Sequence, residues 1–206
     1  MVFFSARQGS VTDVEANVDV LVNASNTLGR LGTGVSAAIR VTCGPGFQNV
    51  IDSALEPRGG SVAPGDVWMT SAGRHGRAKF VAHVAVMEYR ENSEDARGPD
   101  ADRIRRGCEN LWRALDALPY EMPLSVGMVA LGGGTGALGV RMPTEIAVRT
   151  LLDYATVTPA TCVASVVFHG FDLLEYLNVV ATLAPLVPLP PGTVSDDVRR
   201  FLDDSG

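Results

Sequence analysis

Two glycine-rich stretches hold the residues best suited to chemistry. The first runs Asn23-Ala24-Ser25-Asn26-Thr27-Leu28-Gly29-Arg30-Leu31-Gly32-Thr33-Gly34-Val35, and the second Gly132-Gly133-Gly134-Thr135-Gly136-Ala137-Leu138-Gly139. Glycines let backbone N–H groups converge on an oxyanion without Cβ in the way, and a helix starting just beyond adds its positive N-terminal end. That chemistry suits a phosphate or a diphosphate. Asn23 and Asn26 are short amides at a strand end, able to bond a sugar hydroxyl or the loop itself. Taken singly, either reads more readily as a turn-stabilising asparagine, and a plain strand-to-helix turn is the alternative for the whole first loop.

The second loop contains Gly134-x-Gly136-x-x-Gly139, the dinucleotide-fold spacing, and Gly32-x-Gly34-x-x-Ala37 is a degenerate copy. The full fingerprint needs an acidic residue about 20 positions further, at the end of the next strand. Position 159 is a proline, and Asp52, the counterpart for the first loop, falls in an expected helix. A NAD-binding oxidoreductase is therefore the weaker reading. Two anion-cradling loops at the carboxyl ends of neighbouring strands would instead hold a diphosphate between them, in the crevice where open α/β sheets bind ligands. Cys43, Cys108 and Cys162 are odd in number and far apart, which favours structural thiols over disulfides or a metal knuckle. His75, His83 and His169 share no helical face, so no metal and no cofactor is expected.

Stepping outward, short valine-rich runs alternate with longer amphipathic ones, the pattern of α/β layering. Strands are expected at Val2–Ala6, Val18–Val22, Asp66–Thr70, Phe80–Val86, Leu124–Leu131 and Val163–His169. Helices are expected at 35–42, 102–118, 143–156 and 172–184. Residues 91–100 are polar and turn-rich, as in a mobile surface loop. After Ala184 the run Pro185 to Gly192 cannot continue a helix, and Ser195 is placed to cap a short one at 196–202. The division is thus a domain over 1–184 and a proline-rich extension over 185–206.

The chain has 206 residues, 46% hydrophobic and 19% charged, with a net charge of −6. An acidic chain of this kind gives no general electrostatic reason to hold nucleic acid or an anionic membrane. Any bound anion must be held by local geometry. The start shows no basic region followed by an apolar stretch, so a cytoplasmic protein is expected, with no membrane partner. The oligomeric state is not legible.

Asp19-Val20-Leu21-Val22-Asn23-Ala24-Ser25-Asn26 followed by Gly32-Thr33-Gly34-Val35-Ser36-Ala37-Ala38-Ile39 resembles the macrodomain signature, in which a V-N-A-A-N strand end precedes a G-x-G-V loop and helix. Gly9-Ser10-Val11-Thr12 resembles the family's G-D-I-T, Gly65-Asp66-Val67 and Phe80–His83 its central strands, and Ser125 through Gly139 its second loop. The resemblance spans roughly residues 2–184. It implies a three-layer α/β/α fold with a mixed central sheet that binds ADP-ribose, free or attached to a protein. By the same resemblance Ser10 and Val11 face the adenine, Asn26 the distal ribose, and Gly32–Val35 with Gly132–Gly136 the diphosphate. Leu138 falls where many members place an aromatic beside the distal ribose, and Phe171 is placed to stack on adenine.

Three residues depart from the family pattern. Ser10 stands where the adenine-reading aspartate is usual, Ser36 where some hydrolytic members carry an aspartate, and Leu138 cannot stack as an aromatic does. The expected activity is binding of ADP-ribose or ADP-ribosylated protein through Ser10, Val11, Asn23, Asn26, Gly32, Thr33, Gly34, Val35, Gly132, Gly133, Gly134, Thr135, Gly136, Ala137, Leu138 and Phe171. Weak ADP-ribosyl hydrolysis or O-acetyl-ADP-ribose deacetylation, with Asn26 placing a water, is the enzymatic version. A macrodomain that has lost its ligand and serves as a protein-interaction module is the non-catalytic alternative.

Overall fold

The computed structural model describes residues 1–89, 97–120, 122–134 and 136–204. Thr135 and most of the 91–100 loop lie outside the described residues. Six strands form one sheet: β1 (Phe3–Gln8), β2 (Val20–Asn26), β3 (Val67–Ser71), β4 (Phe80–Met87), β5 (Leu124–Val129) and β6 (Val163–Gly170), in the order β1-β6-β5-β2-β4-β3. Every neighbouring pair is parallel except β3 with β4, so the sheet is mixed.

Alternation along the strands sends apolar side chains to both faces. On β2, Val20 and Val22 join one core cluster and Leu21 the other; on β4, Ala82, Val84 and Val86 oppose Val81 and Ala85. The first face is covered by α3 (Ala101–Asp116), α4 (Arg141–Val157) and α5 (Leu173–Leu183). The second is covered by α1 (Val35–Thr42) and α2 (Phe47–Leu55). The result is the three-layer α/β/α sandwich with a mixed sheet. The amphipathic stripe of α3 buries Ile104, Cys108, Leu111, Trp112 and Leu115, and its N-cap Asp100 accepts a hydrogen bond of 2.8 Å from the Arg103 amide.

Three differences from the sequence pattern bear on the site. Strand β2 starts two residues later than expected and runs on through Asn23-Ala24-Ser25-Asn26, pairing with His83 through Met87. A polar residue need not end a strand when its side chain is satisfied inside the fold, and Asn23 is. Strand β5 stops at Val129, because Ala130 turns back to accept a hydrogen bond from the Gly133 amide. Helix α2, marked in the sequence only by the expected helical setting of Asp52, buries Phe47, Ile51 and Leu55.

Beyond α5, Val187 is buried with the first core cluster, while Leu186 and Leu189 pack against it. A last helix, α6 (Asp196–Asp204), buries Val198, and the guanidinium of Arg141 lies 5.7 Å from the centre of the Phe201 ring. No helix among the described residues is long and apolar enough to cross a membrane.

The end of β6 is pressed directly under α5. A Cβ placed on Gly170 would lie 2.2 Å from the Tyr176 amide nitrogen and 2.4 Å from its Cα, both backbone atoms. The substitution Gly170→Ala is accordingly expected to destabilise the fold by about 1–3 kcal/mol, since the helix must move to admit the methyl group. Thermal unfolding of the variant beside the parent protein measures this, and an unchanged melting temperature would contradict the packing.

Candidate functional site

Strands β2 and β5 are paired only at Val20 with Val126 and Leu21 with Gly127. Both continue past that point, so they part toward their carboxyl ends, where the chain order also reverses direction across the sheet. This is the place where open α/β sheets form ligand crevices. A cleft of about 600 Å³ occupies it, lined by residues following β1, β2, β4, β5 and β6. Five adjacent strands set about 4.8 Å apart span roughly 19 Å, so the cleft is long rather than round. A second cavity of about 540 Å³, lined by Met1, Pro123, Thr161 and neighbours, lies away from both glycine loops. Among the described residues no cluster of histidine, cysteine, aspartate and glutamate is placed to hold a metal.

The first glycine loop is braced from two sides. Asn26 Oδ1 accepts from the amides of Leu28 at 3.2 Å and Arg30 at 3.1 Å, and its Nδ2 donates to the Arg30 carbonyl at 2.8 Å. From α2, Gln48 accepts from the Leu31 amide at 2.9 Å and donates to the Gly29 carbonyl at 3.1 Å. With the turn so held, Gly32, Thr33, Gly34, Val35 and Ser36 border the cleft, and α1 begins at Val35. The amides of Ala37 and Ala38 donate to the Gly34 carbonyl at 3.1 and 3.2 Å, while those of Val35 and Ser36 have no intrahelical acceptor and carry the positive end of the helix dipole. Gly34 caps the helix at φ 59° and ψ −134°, a conformation open to glycine alone at little cost.

The second loop is a compact double turn. The Gly133 amide donates to the Ala130 carbonyl at 2.9 Å, that of Ala137 to Gly134 at 2.9 Å, and that of Leu138 to Gly132 at 3.2 Å. Gly132, Gly133, Gly134 and Gly136 line the same cleft as the first loop.

Beneath the cleft runs a buried polar chain. Ser36 Oγ donates to Asn23 Oδ1 at 2.9 Å, Asn23 Nδ2 meets His83 Nδ1 at 3.1 Å, and His83 Nε2 meets Thr70 Oγ1 at 3.0 Å. The His83 ring is stacked against Trp68, with centroids 5.0 Å apart, and against Phe47 at 6.2 Å. Burial pushes its pKa down to about 3, so the ring is neutral at physiological pH. Asn23 can only donate from Nδ2, so Nδ1 of the neutral ring is the acceptor and Nε2–H donates to Thr70. The donors of Ser36, Asn23 and His83 each point away from the cleft, and the lone pairs of Ser36 Oγ are left toward it.

Most of the sequence-marked residues converge, and a few stand elsewhere. Ser10, Val11, Asn26, Gly32, Thr33, Gly34, Val35, Gly132, Gly133, Gly134, Gly136 and Phe171 all line the cleft. Asn23 does not: it is fully buried one layer below, holding Ser36. Ala137 is exposed, with φ 58°, and Leu138 leans half-buried onto the first core, so neither borders the cleft. Thr135 lies outside the described residues. The lining adds Ser25 and Arg30, which lie in the first glycine stretch without an expected role, and Tyr89, His169 and Glu175, which lie in no motif. Their common signal is position, at or just beyond the carboxyl end of a parallel strand. Of the thiols, Cys43 and Cys108 are buried and Cys162 is half-buried; burial pushes their pKa values up to about 11, 12 and 12, so none is a ready nucleophile.

A family model for the macro domain matches residues 22–149. An uncharacterized protein of Aquifex aeolicus is 28% identical over 166 residues, covering 80% of this chain and 88% of that one. A macro domain-containing protein of Listeria monocytogenes is 27% identical over 165 residues, with the same shares covered. Among solved structures, a variant of the Oceanobacillus iheyensis macrodomain with ADPR matches at TM-score 0.71 and 18% identity, over 88% of this chain and 91% of the other. The Trypanosoma brucei macrodomain in complex with ADP matches at TM-score 0.71 and 20% identity, over 88% and 69%.

Proposed function

The chain belongs to the macro domain family, and we propose that it binds ADP-ribose, free or attached to protein, in the cleft above β2 and β5. The observation that carries this reading is that both glycine loops and the first residues of α1 line the one cleft. Backbone amides and a helix end aimed at one place suit a diphosphate. A length of roughly 19 Å leaves room for a group on either side of it. Arg30 adds a guanidinium at the rim, so the anion is not left to backbone groups alone. In this reading Ser10 and Val11 lie at the adenine end with Phe171, a residue 74% exposed and available for stacking. Asn26 acts by shaping the loop around the ligand, since both ends of its amide are already bonded there.

Binding is favoured over hydrolysis by the same geometry. Glu175 is the one carboxylate among the lining residues, and it accepts a hydrogen bond from the Phe171 amide at 2.8 Å. Ser36 has an amide oxygen, not a base, as its partner. A general base needs a suitable pKa and reach to the attacking water. The oxidoreductase reading loses support from the strand order, which is not the 3-2-1-4-5-6 of the dinucleotide fold. An interaction module without ligand would have little use for a cleft built in this way.

Calorimetric titration with ADP-ribose tests the reading, and no heat at millimolar ligand overturns it. Gly136→Ala is expected to weaken binding by at least about tenfold, because its Cβ would lie 2.5 Å from the Gly132 carbonyl oxygen and force the second loop apart. Gly32→Ala has open space around its Cβ and is expected to leave the melting temperature unchanged. Incubation with ADP-ribosylated protein, followed by assay of released ADP-ribose, separates a reader from a hydrolase.

A further inference from the structure

His169 is the last residue but one of β6, set between Arg7 of β1 and Val129 of β5. The residue lines the cleft yet is only 4% exposed, and neither ring nitrogen makes a well-formed hydrogen bond among the described residues, the Gly9 backbone being its nearest polar partner. Nearly all buried polar groups in folded proteins are paired, so an orphaned imidazole in a cavity wall marks a position that a ligand completes. Ser10 and Glu175, the polar side chains nearest this end, are already committed, whereas Ser25 Oγ on β2 and Arg7 Nε on β1 are also buried without a partner. Ser10 Oγ accepts from the Thr12 amide at 3.2 Å and lies 2.8 Å from the Thr12 hydroxyl, and Glu175 is bonded to the Phe171 amide. Phe171 stands beside them with its ring exposed. An aromatic face together with an in-plane donor and acceptor is the arrangement that reads an unstacked base.

We propose that His169 reads the base of the bound nucleotide, an imidazole nitrogen bonding the edge of the purine while Phe171 covers its face. This rests on the ADP-ribose reading above and adds to it the group that recognises the base. A neutral imidazole offers one donor and one acceptor, and an adenine edge presents an amine donor beside a ring-nitrogen acceptor. Burial holds His169 neutral, its pKa pushed down to about 4; the Gly9 backbone nearby counters this only in part. The serine at position 10 fits the same picture, since a base held by a neutral imidazole needs no carboxylate beside it.

The test compares ADP-ribose with ribose 5-phosphate, which lacks the base, on the wild-type protein, His169→Phe and His169→Gln. His169→Phe is expected to weaken ADP-ribose binding by about tenfold while leaving ribose 5-phosphate unaffected, and His169→Gln, which keeps a donor and an acceptor, to recover most of the loss. In the wild-type protein the imidazole nitrogen resonances of His169 should move on addition of ADP-ribose and not of ribose 5-phosphate, a readout independent of how the variants fold. Wild-type protein that binds ADP-ribose with unmoved His169 resonances, or a His169→Phe variant of equal affinity, overturns the inference and leaves the ADP-ribose reading intact. Wild-type protein that binds no ADP-ribose overturns both, and the wild-type titration alone tells the two failures apart.

Discussion

Acidification from pH 7 to 4.5 is expected to remove about 5 kcal/mol of stability, through two buried histidines that the native fold keeps neutral. His83 lies between Phe47 and Trp68 with both nitrogens bonded, and His169 lies in the cleft wall with neither bonded. Burial lowers their pKa values to about 3 and about 4. In the unfolded chain both titrate near 6.5, so below that pH the unfolded state binds two protons that the folded state refuses. The contribution is complete above pH 6.5 and is lost as pH falls toward 4. Two pH units at 1.36 kcal/mol each give on the order of 2–3 kcal/mol per histidine by pH 4.5. That is a large part of the roughly 5–15 kcal/mol a domain possesses.

The carboxylates enter later. Burial alone would raise Asp19 and Asp116, but hydrogen bonds overcome it: Ser125 and Arg77 bond Asp19, and Cys162, Thr161 and Tyr154 bond Asp116, leaving both pKa values below the ordinary 3.8. Their contribution is lost only as pH falls through that lower range, after the histidines have acted. Calorimetric melting temperatures from pH 7 to 4.5 should therefore fall steadily, with an uptake of about two protons on unfolding near pH 5 from these two groups. A flat melting temperature over that interval would contradict the assignment of both rings as neutral.

The difference between those two histidines also shows what a sequence can carry. The glycine loops were legible because their function is local: glycine, a following helix and a preceding strand are all contiguous in the chain. The layers were legible because alternation on β2 and β4 and the stripe on α3 are periodic. The buried setting of Asn23 was not legible because its partners are His83, 60 positions away, and Ser36, and only the pairing of β2 with β4 brings the ring under the loop. Leu138 shares the motif of the second loop, but whether it faces the cleft or the core depends on the double turn, which sets it against the core. His169 gave no signal, since a lone histidine becomes a candidate only when its neighbours in β1 and β5 bury it without bonding it. Charge was misleading in a similar way: a net charge of −6 said nothing about Arg30, which stands at the rim of the cleft.

Asn23→Leu is expected to destabilise the protein by about 2–4 kcal/mol, although the side chain touches no solvent and the shape is nearly kept. The amide joins a fully buried ring nitrogen to the hydroxyl of a residue that is only 5% exposed at the cleft floor. Its Oδ1 takes the Ser36 proton and its Nδ2 supplies His83 Nδ1, so one substitution orphans a buried hydroxyl and a buried ring nitrogen together. Each such orphan costs about 1–3 kcal/mol. Ser36→Ala should cost less, since it leaves only Asn23 Oδ1 unpaired. The two losses should not add: once Asn23 is gone, Ser36 has no partner left to lose, and the second substitution is close to neutral for stability. Ligand binding discriminates further. In the parent protein the hydroxyl proton points down to Asn23, so Ser36 can only accept from a ligand, whereas in Asn23→Leu the hydroxyl is free to turn and donate. A double-mutant cycle read by thermal unfolding and by ADP-ribose titration follows both effects. Additive destabilisation would mean that the chain from Ser36 to Thr70 is not one connected network.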